Sequence, residues 1–189
     1  MAIKLKKAKL NKAGCLEASY IDEDGNKVSI EGKNPVHLDL KMRLKQLVPF
    51  LADLTEQKEC SKIDWYNLDS PENDELLRHL DVSGVSIGGS SESPVATLVG
   101  KRTLLTSKVL NICVPATGMN VEDEDYIHCD EFRDAVYAFM YEAELYITER
   151  KWSIQQGEFN FDNEEDPFGN EGQETEDVPI EEPEFAEAV

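Results

Sequence analysis

The chain has 189 residues, with 19 Lys and Arg against 39 Asp and Glu, for a net charge of −20. Every basic residue lies at or before Lys151, and residues 152–189 hold 13 acidic residues and no Lys or Arg. This balance excludes nucleic-acid binding by net charge, and the lack of any run approaching 18 apolar residues argues against a membrane-crossing helix.

The charge divides the chain in two. Residues 1–151 carry 19 basic and 26 acidic groups, a net of −7, and are long enough to bury a core as one domain. Residues 152–189 are too polar to offset the entropy of ordering and are expected to form a disordered acidic tail. A local basic stripe on the body can still attract phosphates, because charges act over about 10 Å in physiological salt. The basic N-terminus lacks the apolar run of a secretory signal, and Cys15, Cys60, Cys113 and Cys129 include no C-x-x-C spacing. These features suggest a cytoplasmic protein with reduced thiols.

Ile3 to Leu10 alternates between apolar residues and lysine, with a slip at Lys6–Lys7 that marks a β-bulge. Lys4, Lys6, Lys7, Lys9 and Lys12 either shield an edge strand from aggregation or meet phosphates. Cys15 to Ile21 is a second strand, with Leu16, Ala18 and Tyr20 on one face. Asp22 to Asn26 is a turn, and Lys27 to Glu31 a third strand. Asp22 and Asp24 lack the spacing and distal Glu of a calcium loop.

Asn34 and Pro35 read as a helix start. Leu40, Leu44, Leu47, Leu51 and Leu54 then recur at helical spacing, and Pro49 predicts a kink or a break into two helices. Such a stripe faces either the core or a partner helix. Trp65 and Tyr66 follow among turn residues, where they anchor a loop or stack on bases. Asp74 to Leu80 is a short helix. Val82 to Ile87, Pro94 to Leu98, Gly100 to Thr103 and Val109 to Val114 supply two or three further strands. Asn120 to Asp125 is an acidic loop, and Asp130 caps a helix running to about Lys151 with Phe132, Val136, Phe139, Ala143, Tyr146 and Ile147 on its apolar face.

The fold expected is α+β: five or six mostly antiparallel strands, a helix after the third strand and a C-terminal helix. The order suits either an open two-layer sheet or an oligonucleotide-binding (OB-like) barrel. Gly100-Lys101-Arg102-Thr103 is not a phosphate loop, because Val95 and Arg102 stand where that motif needs Gly and Ser or Thr. His37, His79 and His128 fit no zinc pattern, and carboxylate pairs are too common here to signify acid–base catalysis. No enzyme, metal or cofactor is expected.

In the tail, Phe159, Phe161, Phe168 and Phe185 sit among carboxylates. The run Asn163-Glu164-Glu165-Asp166-Pro167-Phe168 resembles the acidic tip of bacterial and phage single-stranded DNA-binding proteins. The resemblance implies that Pro167 and Phe168 enter an apolar pocket of a replication or repair partner while Glu164, Glu165 and Asp166 meet its basic rim. It departs from that family in placing 21 residues after Phe168 and Asp166 before Pro167. The body is similar to uncharacterised phage and prophage proteins. The expected function is therefore a non-enzymatic accessory protein of replication or recombination that binds single-stranded nucleic acid. In it Lys4, Lys6, Lys9, Lys12, Lys101, Arg102 and Lys108 contact phosphates, and Tyr20, Trp65 or Tyr66 stack on bases. The alternatives are an acidic DNA mimic that binds a host protein, and a scaffold that assembles through its leucine helix and C-terminal helix, with a homo-oligomer among the partners considered.

Overall fold

The computed structural model describes residues 3–120 and 126–151. The acidic tail, its proposed partner-binding residues and most of the acidic loop lie outside them.

The slip in the first strand is a bulge. In β1 (Lys4–Leu10), Leu5 opposes Tyr20 of β2 (Cys15–Ile21) while Lys7 opposes Ser19, so Lys6 has no opposite number. Leu5 and Ala8, three residues apart, can then both turn inward, and both are buried. A tight turn leads to β3 (Lys27–Pro35). There the Asp22 carboxylate accepts from the N–H groups of Asp24 and Asn26, and Gly25 takes φ +83°. Those hydrogen bonds, led by the one from Asn26, hold Asp22 below the usual carboxylate range. The carboxylate is occupied by its own turn.

β3 runs past the expected helix start. Pro35 pairs with Cys15, and the Val36 N–H donates to Gly14 (2.9 Å), which holds the chain extended until α1 (Leu38–Lys45) begins. The leucine stripe does break: α2 (Val48–Leu54) starts afresh with Pro49 in its first turn, where a missing N–H costs nothing. Leu40, Leu44, Leu47 and Leu51 are all buried, so the stripe belongs to the core and not to a partner seam.

A single 3-10 turn (Cys60–Lys62) precedes α3 (Pro71–Leu77). That helix begins three residues before the expected position, because Ser70 caps it by accepting from the Asn73 N–H and Pro71 fills the first turn. Leu80 consequently opens β4 (Leu80–Gly89) instead of closing a helix. Pro94–Leu98 and Gly100–Thr103 belong to one strand, β5 (Pro94–Thr103). It is followed by β6 (Val109–Cys113), a two-residue β7 (Thr117–Gly118), and α4 (Cys129–Thr148), which His128 precedes as N-cap in place of Asp130.

The strand order is β3-β2-β1-β4-β5-β6, with β7 alongside β5, and every ladder is antiparallel. β3 and β6 are the two ends and share no ladder, so the sheet is open rather than a closed barrel. β1 lies in the interior of the sheet, so its lysines do not guard an edge. One row of opposed residues, Ile30, Ala18, Ala8, Val85 and Leu98, crosses five strands and faces the helices. Against it pack Phe50, Leu51, Phe132, Val136 and Phe139, all buried. Each such side chain contributes about 1.5–3 kcal/mol of transfer free energy. Gly100 is required for this contact: a Cβ there would lie 2.6 Å from Leu51 Cδ2 and 2.4 Å from the Asp81 carbonyl oxygen.

Among the described residues no helix is long and apolar enough to cross a membrane. No disulfide joins the four cysteines.

Candidate nucleic-acid interface

Helices cover one face of the sheet and leave the other to solvent, the usual arrangement for an antiparallel sheet. Register assigns residues to that open face. Lys9 opposes Glu17 on one side and Gly84 on the other, and Gly84 opposes Val99. Lys7 sits between Ser19 and Ser86, which lead on to Ser29 and Thr97. Lys101 opposes Asp81 and Asn111. Lys4 and Lys27 lie in register with Ile21 on the same face.

Lys4, Lys7, Lys9 and Lys101, from both basic segments of the sequence, therefore share one surface. Lys9 and Lys101 are two strand spacings apart, about 10 Å across the sheet, and are offset by two residues, about 7 Å, along it. Gly84 lets the strands approach: a Cβ at that position would lie 2.3 Å from Lys9 Cβ. The rest of the face mixes Ser19, Ser29, Ser86 and Thr97 with the apolar Ile21, Val95, Val99 and Val109 and the carboxylates Glu17, Glu31 and Asp81.

Charge pairing divides these lysines. Lys9 binds Glu17 at 2.5 Å at half-buried positions and Lys101 binds Asp81 at 3.0 Å at exposed ones; both pairs are open enough to solvent to be worth about 1 kcal/mol or less, and a competing phosphate can displace them. Lys4, Lys7 and Lys27 have no carboxylate partner among the described residues. Lys27 was not among the expected contacts; Lys7 belonged to the basic arm but not to the seven residues assigned to phosphates. Alternation puts Lys7 in phase with Lys9, and the bulge brings Lys4 onto the same face.

The other expected residues lie elsewhere. Lys6 is the bulge residue, Lys12 is in the β1–β2 turn and Lys108 is in the β5–β6 turn. Arg102 points the opposite way, beneath the sheet. Its side chain is only 15% exposed and makes two parallel hydrogen bonds of 2.9 Å to Glu59, with a third of 2.7 Å to Gln57. Those hydrogen bonds from Arg102 hold the Glu59 carboxyl down to about 2 against the cost of its burial. His79 Nε2 lies 3.2 Å from the same carboxylate, off the direction of a good hydrogen bond. Arg102 is thus committed to a buried ion pair and is not available to phosphate.

The aromatics do not join the lysines. Tyr20 opposes Leu5 and Val28 on the helix side and packs against the core. Trp65 stacks on His128 with ring centres 3.6 Å apart and meets Phe50 at 5.5 Å, closing the core beside the start of α4. His128 thereby has a packing role. Tyr66 alone is fully exposed, on the loop before α3.

Charge also segregates between layers. Residues 3–35 and 80–114, which form the main strands and their turns, hold 10 Lys and Arg against 7 Asp and Glu. Residues 36–79 and 129–148, which hold the helices, carry 7 against 14.

The described residues contain no cluster of three or more His, Cys, Asp or Glu suited to a metal ion. Comparison of the chain with protein-family models, with curated proteins and with solved structures gives no match.

Proposed function

We propose that the protein binds nucleic acid through the solvated face of its sheet and serves as a non-enzymatic accessory factor in replication or recombination. The observation that carries this reading is the union of Lys4, Lys7, Lys9 and Lys101 on one open face of a body whose helical layer holds twice as many acids as bases. The face offers lysines and hydroxyls but no stacked aromatic, so contact is to the phosphate backbone and is insensitive to base identity. The 13 acidic residues beyond Lys151 oppose the approach of nucleic acid by their charge alone, and the Asp166-Pro167-Phe168 tip engages a protein partner. Single-stranded substrate is favoured by its flexibility, which lets it follow a twisted sheet.

The test is fluorescence anisotropy with a labelled oligonucleotide at low salt. Residues 1–151 should bind more tightly than the full chain. Lys7→Glu should weaken binding of all sequences alike and lower the slope of log K against log salt. Absence of binding by the truncated chain at low salt overturns the reading.

The acidic helical layer favours a second reading, in which that layer imitates nucleic acid and captures a basic protein. Capture that survives nuclease treatment and weakens when Asp130 and Asp134 are neutralised would support it over the first.

A further inference from the structure

The two ends of the sheet differ in chemistry. β3 carries Lys27, Glu31, Lys33 and Pro35, the charges and proline with which natural edges discourage pairing. β6 reads Val-Leu-Asn-Ile-Cys, with no charge and no proline, and leaves Val109 and Leu110 55% and 51% exposed.

The neighbouring ladder defines which groups of β6 point outward. The Val114 N–H donates to the Leu98 carbonyl (2.9 Å) and the Leu104 N–H to the Lys108 carbonyl (2.8 Å). The Thr103 N–H turns the other way, to His79 (2.8 Å). Antiparallel ladders alternate, so Leu110 and Ile112 bond to β5, while Val109, Asn111 and Cys113 direct N–H and C=O to the open side. Among the described residues, nothing hydrogen-bonds these outward groups.

We propose that β6 is a self-association edge, and that two copies of the chain pair it antiparallel about a two-fold axis at Asn111. Val109 then opposes Cys113 of the second copy and Asn111 opposes its own counterpart, so every outward N–H and C=O of both strands finds a partner. Leu110 comes opposite Ile112 of the second copy on the helix side, where each covers the other's apolar surface. The strand is neutral, so the axis brings no like charges together, and Lys108 falls beyond the paired region.

The axis stands perpendicular to the sheet, which keeps the solvated faces of both copies on one side. The Lys101 side chains of the two copies are then separated by two β6 strands, about 14 Å, and the lysine surface is doubled. Pairing itself requires no ligand and is independent of the nucleic-acid reading. A five-residue strand pair is a small interface, so the dimer forms as a concentration-dependent equilibrium rather than as a permanent assembly.

Sedimentation velocity on the full chain without nucleic acid, from on the order of 1 to 300 μM, should show that equilibrium. Leu110→Lys and Asn111→Pro should each shift it to monomer. Both leave the β5–β6 ladder intact, because residue 110 is exposed and the Asn111 N–H points away from β5. Register is read by cross-linking. In V109C, mild oxidation should join position 109 to Cys113 of the second copy, since opposed residues in such a pair stand about 5.5 Å apart, within disulfide reach. Within one strand these positions are about 13 Å apart and cannot join. The covalent dimer should be absent from V109C/C113S. A monomer throughout the range with no cross-link overturns the proposal, as does a dimer that both edge substitutions leave unchanged.

Discussion

Arg102 and Glu59 show how one residue changes meaning when its partner is known. In sequence Arg102 sits between Lys101 and Thr103 and reads as part of a basic group. In the fold its neighbour Lys101 faces solvent, while Arg102 turns beneath the sheet to hold the loop after α2 against β5. A buried pair that loses one member leaves the other charge stranded, so Glu59→Gln should lower stability by about 3 kcal/mol at pH 7, measured by urea unfolding. The folded-state pKa of Glu59 is depressed to about 2 from 4.5. Its contribution is therefore full above about 4.5 and is lost as pH falls toward 2, and the gap between wild type and Glu59→Gln should close over that interval. A gap that stays constant down to pH 2 would show that the pair does not titrate with folding. Trp65 makes a parallel case. Its stacking on His128 and contact with Phe50 predict that Trp65→Ala costs about 3 kcal/mol in thermal or urea unfolding, with little change in oligonucleotide affinity. A variant that unfolds normally but no longer binds would return Trp65 to the interface.

At the scale of elements, the bulge in β1 decides the face on which the lysines appear. If Lys6 were paired regularly, the odd spacing of Leu5 and Ala8 would put one of them into solvent. Deleting Lys6 removes that extra residue yet keeps Leu5 opposite Tyr20 and Lys7 opposite Ser19. The deletion should thus change stability by less than about 1 kcal/mol and leave Lys7 and Lys9 in place. Loss of folding on deletion would mean that the twist introduced by the bulge is itself needed. Pro49 acts in the same local way, since a proline that breaks a helix interior is welcome in a first turn, and the leucine face continues across the break. The start of α1 is set differently. Asn34 and Pro35 carry a helix-start pattern, but pairing with β2 extends them, and the gain from the ladder outweighs the local preference.

At the scale of the whole molecule, the body's net charge of −7 conceals an uneven distribution. The strand-bearing segments have an excess of bases and the helical segments an excess of acids. Binding through the sheet should consequently fall steeply with salt despite the acidic pI. Four lysine–phosphate contacts to a single strand predict a slope of log K against log salt near −3. A slope near zero would place the contact away from the lysines.

The sequence by itself indicated the kind and order of the main elements, the bulge, an interruption at Pro49 and the apolar face of α4, because each depends on periodicity or on the backbone limits of a residue within a few positions. It also isolated the acidic segment beyond Lys151, since composition needs no fold to be read. Only the tertiary structure decided that β1 lies inside an open sheet, that Lys101 joins its lysines while Arg102 leaves them, and that Tyr20 and Trp65 serve the core. Those outcomes rest on which strands pair and in what register. Pairing is a contest among distant segments for one buried face, and no short stretch of sequence carries its result.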